Sequence, residues 1–144
     1  MPIFMKMLNN ISRSQAIFRH ERVNADDLSC VHYAFVLAIC REEGRSQEEL
    51  AAELCVNKST VARHLNCLEE NGYILRQPLP HDKRQFAVFP TEKMRAVLPR
   101  IQAASAEWMA RLSEDIPPKD LDVFNAVLQA MEEKARRIME EVNQ

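Results

Sequence analysis

Apolar and polar positions change their spacing once between Ser46 and Pro90. Up to Glu70 the apolar residues recur every three or four positions, which is typical of helices that bury one face. From Tyr73 to Phe89 they gather in two runs rich in β-branched and aromatic residues, which is typical of strands. The pattern predicts a short helix, a turn, a second helix and a β-hairpin.

The ends of these two helices carry recognisable signals. Ser46 and Glu49 have the S-x-x-E spacing of a capping box, which predicts the start of the first helix. After a break at residues 55–56, Asn57 can accept hydrogen bonds from the first-turn amides of the second helix. Gly72 can adopt the left-handed conformation that closes a helix, so the second helix is expected to end there.

The second helix has two different sides. At 100° per residue its apolar residues fall within about 60° of each other, and a polar row lies opposite them. The apolar residues are Val61, Leu65 and Leu68, and the polar row is Ser59, Arg63 and Asn66. Serine, arginine and asparagine side chains hydrogen-bond base edges and phosphates, so the polar row suits the major groove of DNA.

The two predicted strands, residues 73–76 and 84–89, are separated by prolines and a charged stretch. They predict a hairpin with a basic tip. Lys83 and Arg84 at this tip are placed to approach a narrow minor groove, whose negative potential attracts cations.

The chain resembles the multiple-antibiotic-resistance regulator (MarR) family of winged-helix transcription factors. The resemblance rests on the stretch STVARHLNCLEENGYILR (residues 59–76), on residues 82–84 and on Pro90-Thr91. The resemblance implies a sequence-specific regulator of transcription that is a repressor, binds a palindromic operator in double-stranded DNA as a homodimer and is released by a small-molecule effector.

The resemblance also assigns roles to individual residues. In that family the wing carries a D-x-R element, which Asp82 and Arg84 fill here, and this implies that Asp82 orients Arg84 towards the DNA. The recognition-helix contacts of the family carry over to Ser59, Thr60 and Arg63. The complete set of predicted DNA contacts is Lys58, Ser59, Thr60, Arg63, Asn66, Asp82, Lys83 and Arg84.

Three further helices are predicted around this module. The C-terminal one follows an alternating three-four spacing for three heptads after the prolines at 117 and 118, which favours packing along another helix. Its apolar residues are Leu121, Phe124, Leu128, Met131, Ala135, Ile138 and Val142. The helix before it contains the apolar residues Val97, Leu98, Ile101, Ala104, Trp108 and Leu112. The N-terminal helix contains Ile3, Phe4, Met7, Leu8, Ile11, Ile17 and Phe18. We expect them to intertwine with a second copy and to place two recognition helices roughly 34 Å apart.

The predicted fold is therefore mainly α with a small β-wing. It is a winged helix-turn-helix flanked by N- and C-terminal dimerisation helices. Residues 1–144 are expected to form a single MarR-like domain, with the winged helix-turn-helix at 29–94 and the dimerisation helices at 1–28 and 95–144.

Charge is distributed unevenly along the chain. The net charge of all 144 residues is −2, but residues 58–90 hold five basic and three acidic residues, a local net charge of +2. Residues 91–144 hold eight basic and ten acidic residues. A local positive face that is doubled in a dimer would supply the phosphate contacts of a DNA-binding protein.

Composition excludes several other classes. The longest uninterrupted apolar stretch, Tyr33 to Cys40, is far shorter than a membrane span, and MPIFMKML lacks the features of a signal peptide, so we expect a cytoplasmic protein. No G-x-S-x-G, phosphate-binding glycine loop or HExxH motif is present, and neither catalysis nor a cofactor is expected. Cys30 and His32 have poor spacing for zinc on a helix, so no metal site is expected.

Two alternatives remain open alongside a ligand-released regulator. The first is a redox-responsive regulator that uses one of the cysteines at 30, 40, 55 and 67, although their helical surroundings favour buried, reduced thiols. The second is a winged helix that binds another protein instead of DNA. For the ligand-released regulator, the resemblance implies an effector pocket where the dimer helices meet the winged helix, and its candidate lining is Phe18, Tyr33, Phe35, Trp108 and Met109.

Overall fold

The computed structural model describes residues 2–142, and within them the chain forms six helices and a three-stranded sheet. The helices are α1 (Pro2–Val23), α2 (His32–Arg41), α3 (Gln47–Leu54), α4 (Lys58–Glu70), α5 (Glu92–Leu112) and α6 (Pro118–Val142). The strands are β1 (Arg45–Ser46), β2 (Ile74–Pro78) and β3 (Phe86–Pro90). The outer limits of the predicted domain, residue 1 and residues 143–144, lie outside the described residues. A mainly α fold with a small antiparallel sheet confirms the predicted fold class.

The described chain divides into two units. The first ends at Trp108 and contains α1 to α4, the sheet and most of α5. The second begins at Met109 and contains the end of α5 and the whole of α6. The residues predicted to bind DNA all belong to the first unit.

Side-chain caps fix the starts of α3 and α4 as the sequence predicts. The Glu49 amide donates to the Ser46 hydroxyl at 3.1 Å, and the Thr60 amide donates to Oδ1 of Asn57 at 2.8 Å. Between the two helices Cys55 adopts a left-handed backbone with φ of +53°, which reverses the chain sharply. These local bonds set the angle at which α4 leaves the turn.

The sheet has the order β1-β3-β2, and all its strands are antiparallel. The predicted hairpin is β2 and β3, but its strand bounds differ from those expected. Arg84 and Gln85 lie in the loop, because the Gln85 amide donates to the Asp82 carbonyl at 3.1 Å and turns the chain there. The Leu79 amide donates to the Gln85 carbonyl at 2.9 Å and closes the hairpin. Pro78 belongs to the end of β2, where a missing amide donor is tolerated. Strand β1, only two residues long, was not predicted.

The two glycines hold backbone conformations that other residues adopt at a cost. Gly72, with φ of +78°, follows α4 and turns the chain into β2. Gly44, with φ of +83°, precedes β1, and a Cβ atom there would lie 3.1 Å from the Phe89 ring. Both positions therefore favour glycine for its conformational freedom, and Gly44 also because of the close approach of Phe89.

The core of the first unit joins the helix-turn-helix to the sheet and to α5. Val61, Leu65 and Leu68 on α4 are almost completely buried, which confirms the predicted inner face of that helix. The same buried cluster includes Leu50, Val36, Ile39, Ile74, Met94 and Ile101. Burying one such side chain stabilises a fold by about 1.5–3 kcal/mol, so this cluster holds α4 firmly in place.

Helix α6 has no buried residue. Its apolar side chains instead form an exposed stripe, in which Phe124 is 49%, Met131 39% and Ile138 57% exposed. Helix α1 also carries exposed apolar residues, among them Ile3 and Ile17. Within residues 2–142 no helix combines the length and apolar character that crossing a membrane requires.

Candidate nucleic-acid interface

The outer side of α4 presents the predicted polar row. Lys58, Ser59, Arg63 and Asn66 are exposed, and Thr60 is partly buried. The Ser59 hydroxyl donates to Oδ1 of the capping asparagine at 2.8 Å, so the first turn of α4 is held by side-chain bonds. Ser59, Arg63 and Asn66, which are three or four positions apart, therefore lie exposed on one side of α4, and Lys58 and Thr60 lie in its first turn.

The wing loop places its acidic residue against the backbone. Oδ1 of Asp82 accepts a hydrogen bond from the Arg84 amide at 3.0 Å, and the Asp82 carbonyl accepts one from the Gln85 amide at 3.1 Å. Lys83 and Arg84 themselves have exposed side chains. Asp82 therefore shapes the turn that carries the two cations.

A cleft of about 170 Å³ brings the wing and α4 together. It is lined by Ser46, Gln47, Glu48, Lys58, Arg84, Gln85 and Phe86. Two residues that lie 26 positions apart in the sequence, Lys58 and Arg84, thus face one cleft beside the first turn of α3. Lys58 is also paired with Glu48, with 2.8 Å between Nζ and Oε1. Sequence patterns alone do not reveal this acidic neighbour.

Arg76 on β2, the last residue of the stretch that resembles the family, is paired with side chains of α4. Its Nη2 donates to Oδ1 of Asn66 at 2.7 Å and to Oε1 of Glu69 at 3.0 Å, and its Nε donates to Oε2 of Glu69 at 3.1 Å. The hydrogen bonds from Arg76 lower the pKa of Glu69. The positive charge that Arg76 adds to this segment is therefore neutralised locally.

A pair of histidines supports α4 from α2. Nε2 of His32 lies 3.2 Å from Nδ1 of His64, and the His64 ring lies 5.3 Å from the ring of Phe35 between centroids. His64 is partly buried, as its position beside the apolar stripe predicts, while His32 is buried. Burial lowers the pKa of both rings. The sequence does not indicate that these two histidines meet.

The end of α4 is tied to the loop after α1. The Tyr73 hydroxyl donates to Oδ1 of Asp27 at 2.5 Å, and Lys93 pairs with Oδ2 of the same carboxylate. Hydrogen bonds from Lys93 and Tyr73 lower the pKa of Asp27. Lys93 also donates to the Asn71 carbonyl at 2.8 Å, so one small network joins the loop after α1, the segment after α4 and the start of α5.

The candidate effector residues do not share one environment. The rings of Phe18 and Trp108 lie 5.4 Å apart between centroids, while Tyr33 and Phe35 belong to the buried core. Met109 is exposed on α5. Beside the Tyr33 ring stands the Arg19 guanidinium, at 5.6 Å from the ring centroid, and burial lowers the pKa of Arg19.

The four cysteines are free. Cys30, Cys40 and Cys67 are partly buried, and burial raises the pKa of Cys40, which disfavours its reactive thiolate. Cys55 is exposed, so the expectation that it is packed is wrong, because the left-handed turn points its side chain outward. No group of three or more metal-ligating side chains occurs within the part of the chain that the structure describes.

Comparison with known proteins places the chain among transcriptional regulators. The profile of the MarR family matches residues 20–86. YybA of Bacillus subtilis (strain 168), an uncharacterized HTH-type transcriptional regulator, is 27% identical over 116 residues, which are 81% of this chain and 77% of YybA. The crystal structure of MarR matches this chain with a TM-score of 0.81 and 30% sequence identity, and the match covers 95% of this chain and 93% of the MarR chain.

A DNA-bound structure has the same fold. The transcriptional repressor CouR, bound to a 23-mer DNA duplex, matches with a TM-score of 0.75 and 24% identity, and the match covers 88% of this chain and 89% of CouR. At this identity the likeness shows the fold, while the residues that would contact DNA must be argued from this chain itself.

Proposed function

The chain belongs to the MarR family of transcriptional regulators, and from that premise we propose that it binds specific double-stranded DNA sites through α4 and the wing. The observation that carries the proposal is the joint exposure of the polar row on α4 and of Lys83 and Arg84 on the wing. A helix with such a row fits the major groove, and wing cations fit the adjacent minor groove.

Each predicted contact has a role in this proposal. Ser59, Thr60, Arg63 and Asn66 would read base edges or bind phosphates from the major groove. Lys58, Lys83 and Arg84 would neutralise phosphates or enter the minor groove, and Asp82 would hold the wing turn. The roles follow from exposure and from the donors that each side chain offers.

We further propose a homodimer built by residues 1–28 and 95–144, with residues 29–94 as the DNA-binding part. The support is the exposed apolar stripe of α6, which repeats at heptad spacing, together with the exposed apolar residues of α1. An apolar stripe of this length is costly in water and is stabilised by packing along another helix. A symmetric dimer would bind a palindromic operator with its two copies of α4.

The regulator would act as a repressor that an effector releases. The effector would be a small aromatic or amphipathic molecule that binds near Phe18 and Trp108. Further candidates for its contacts are the core residues Tyr33 and Phe35 and the exposed Met109. The bound molecule would favour a spacing of the two copies of α4 that does not fit consecutive major grooves. Affinity for the operator would then fall without any change to the DNA-contacting residues. We propose a cytoplasmic location for a regulator with this role.

The proposed function is tested by selecting bound duplexes from a random-sequence library with the full chain. We expect a palindromic site to be enriched, and we expect Arg63→Ala to abolish the enrichment. Arg41→Ala, which removes an exposed basic residue outside both the proposed contacts and the dimerisation helices, is the matched control and should enrich the same site. If the unmodified chain enriches no site and binds no duplex at low salt, a protein-binding role for the winged helix replaces this proposal.

A further inference from the structure

Arg76 joins two side chains on the outer side of α4. Asn66 and Glu69 are three positions apart, so they project from neighbouring places on the same side of the helix. One guanidinium reaches both, with the bond of 2.7 Å to the Asn66 amide oxygen and the two bonds of 3.0 and 3.1 Å to the Glu69 carboxylate. The result is a three-residue cluster, Asn66-Glu69-Arg76, at the edge of the proposed DNA interface.

The chemistry of the guanidinium fixes the orientation of the asparagine amide. Arginine has only donors, so the Asn66 oxygen must face Arg76 and the amide nitrogen must point away. The bidentate pair with Glu69 holds the guanidinium in its plane, and only 20% of the Arg76 side chain is exposed. Glu69 raises the pKa of Arg76, so the cluster keeps its charges at neutral pH.

This orientation changes what Asn66 offers to DNA. An unconstrained asparagine reads adenine in the major groove by accepting from N6 and donating to N7. Here the oxygen that would accept from N6 is already bonded to a charged donor, and the two N–H groups remain for the DNA. Guanine suits such a residue better, since its major-groove edge has the acceptors N7 and O6 and no donor.

We propose that Arg76 is a positioning residue that fixes Asn66 as a hydrogen-bond donor, so that Asn66 selects guanine at one position of each operator half-site. The inference rests on the proposed function, because it requires α4 to lie in the major groove. The inference names guanine as the base that Asn66 reads and Arg76 as the residue that determines this preference.

The test is binding-site selection from a random-sequence duplex library with the wild-type chain, Asn66→Ala and Asn66→Asp. In the wild-type site we expect one half-site position at which guanine is favoured over adenine by about fivefold, the value of one hydrogen bond. Asn66→Ala should remove that preference. Asn66→Asp keeps the pair with Arg76 but turns an acceptor towards the DNA, so the same position should change to cytosine, whose N4 group is a donor.

A second set of variants tests the role of Arg76 itself. Arg76→Lys keeps the positive charge near Glu69 but lacks the fork that reaches both partners, so the guanine preference should fall or change to adenine at that position only. Glu70→Gln, on the same helix and outside the cluster, is the control and should leave the preference intact. Thermal melting of each variant shows whether it folds. A folded Arg76→Lys variant that keeps the full guanine preference overturns the positioning role of Arg76.

The outcomes separate this inference from the proposed function. A wild-type site that persists unchanged in Asn66→Ala and Asn66→Asp overturns the inference and leaves the proposed function intact. A wild-type preference for adenine at the position that Asn66→Ala alters also overturns it. If the wild-type chain selects no site at all, the proposed function fails and the inference fails with it.

Discussion

His32 on α2 and His64 on α4 meet edge to face, with 3.2 Å between Nε2 of the first ring and Nδ1 of the second. The Ser29 amide donates to Nδ1 of His32 at 3.3 Å, so that nitrogen is an acceptor and Nε2 of His32 carries the proton that His64 accepts. The pair is therefore a bond between two neutral rings, and it links α2, six of whose ten residues are buried, to the helix that is proposed to read DNA.

This pair predicts a stability that depends on pH. Burial lowers the pKa of both rings in the folded chain below the ordinary value of 6.5, and the charges of His64 on His32 and of Arg63 on His64 lower them further. Below pH 6.5 the unfolded chain therefore binds protons that the folded chain does not, and the unfolding free energy falls as the pH falls. Melting temperatures measured from about pH 7.5 to 5 should decrease, and His64→Gln should flatten the profile. The exposed His81 provides the control His81→Gln, whose profile should match that of the wild type; a profile for His64→Gln that is as steep as the wild type would contradict the prediction.

The cap of α4 predicts a defined loss of stability. Oδ1 of Asn57 accepts from the Thr60 amide and from the Ser59 hydroxyl, both at 2.8 Å. Asn57→Ala should lower the free energy of unfolding by about 1 kcal/mol, because the first-turn amide loses its partner. Urea denaturation measures this loss, and Asn57→Asp, which keeps the acceptor, should remain close to the wild type. Equal stability of the alanine variant and the wild type would show that the cap contributes nothing.

The ion pair of Lys58 and Glu48 predicts a gain in DNA affinity. Both side chains are exposed, so breaking the pair costs little stability, and Glu48→Gln removes a negative charge from the cleft that Lys58 and Arg84 line. Duplex affinity at low salt should increase a few-fold, and the salt dependence should become steeper as Lys58 binds phosphate. Fluorescence anisotropy with a labelled duplex measures both quantities. Glu92→Gln makes the same change in net charge elsewhere on the surface, and an equal gain in that variant would refute a local effect.

The apolar stripe of α6 predicts an assembly that polar substitutions dissociate. Phe124 and Met131 are exposed in the single chain, so replacing both with lysine should leave the monomer fold intact. In the proposed dimer the same lysines would be buried without partners, which is strongly unfavourable. Sedimentation at micromolar concentration should give a dimer for the wild type and a monomer for the double variant. Gln129→Lys, on the same helix, should remain a dimer, and a wild-type monomer would rule out the proposed assembly.

The parts of the fold that local sequence determines could be predicted. The starts of α3 and α4 depend on side chains that bond amides three residues away, and the burial of Val61 and Leu65 depends on helical spacing. Such signals lie within one or two turns of the chain. Strand β1 has no signal of this kind, because two residues are too few for a periodicity and its pairing with β3 depends on residues more than forty positions away.

The candidate site divides in the same way. The exposed row on α4 and the cations of the wing follow from local spacing, but their neighbours do not. Arg76 counts as a positive charge in the sequence, and only the fold shows that Glu69 neutralises it. The cleft that Lys58 and Arg84 share, and the contact of His32 with His64, likewise depend on how separate elements pack.

The salt dependence of duplex binding tests the central claim most directly. For the wild-type chain, the logarithm of the binding constant should fall linearly with the logarithm of salt concentration. The slope should become shallower by about one per chain in Arg84→Ala and in Arg63→Ala if each variant loses one phosphate contact. Both variants should also bind more weakly at every salt concentration. Wild-type binding that is absent at low salt, or slopes in both variants that equal that of the wild type, would contradict a DNA-binding surface built from α4 and the wing.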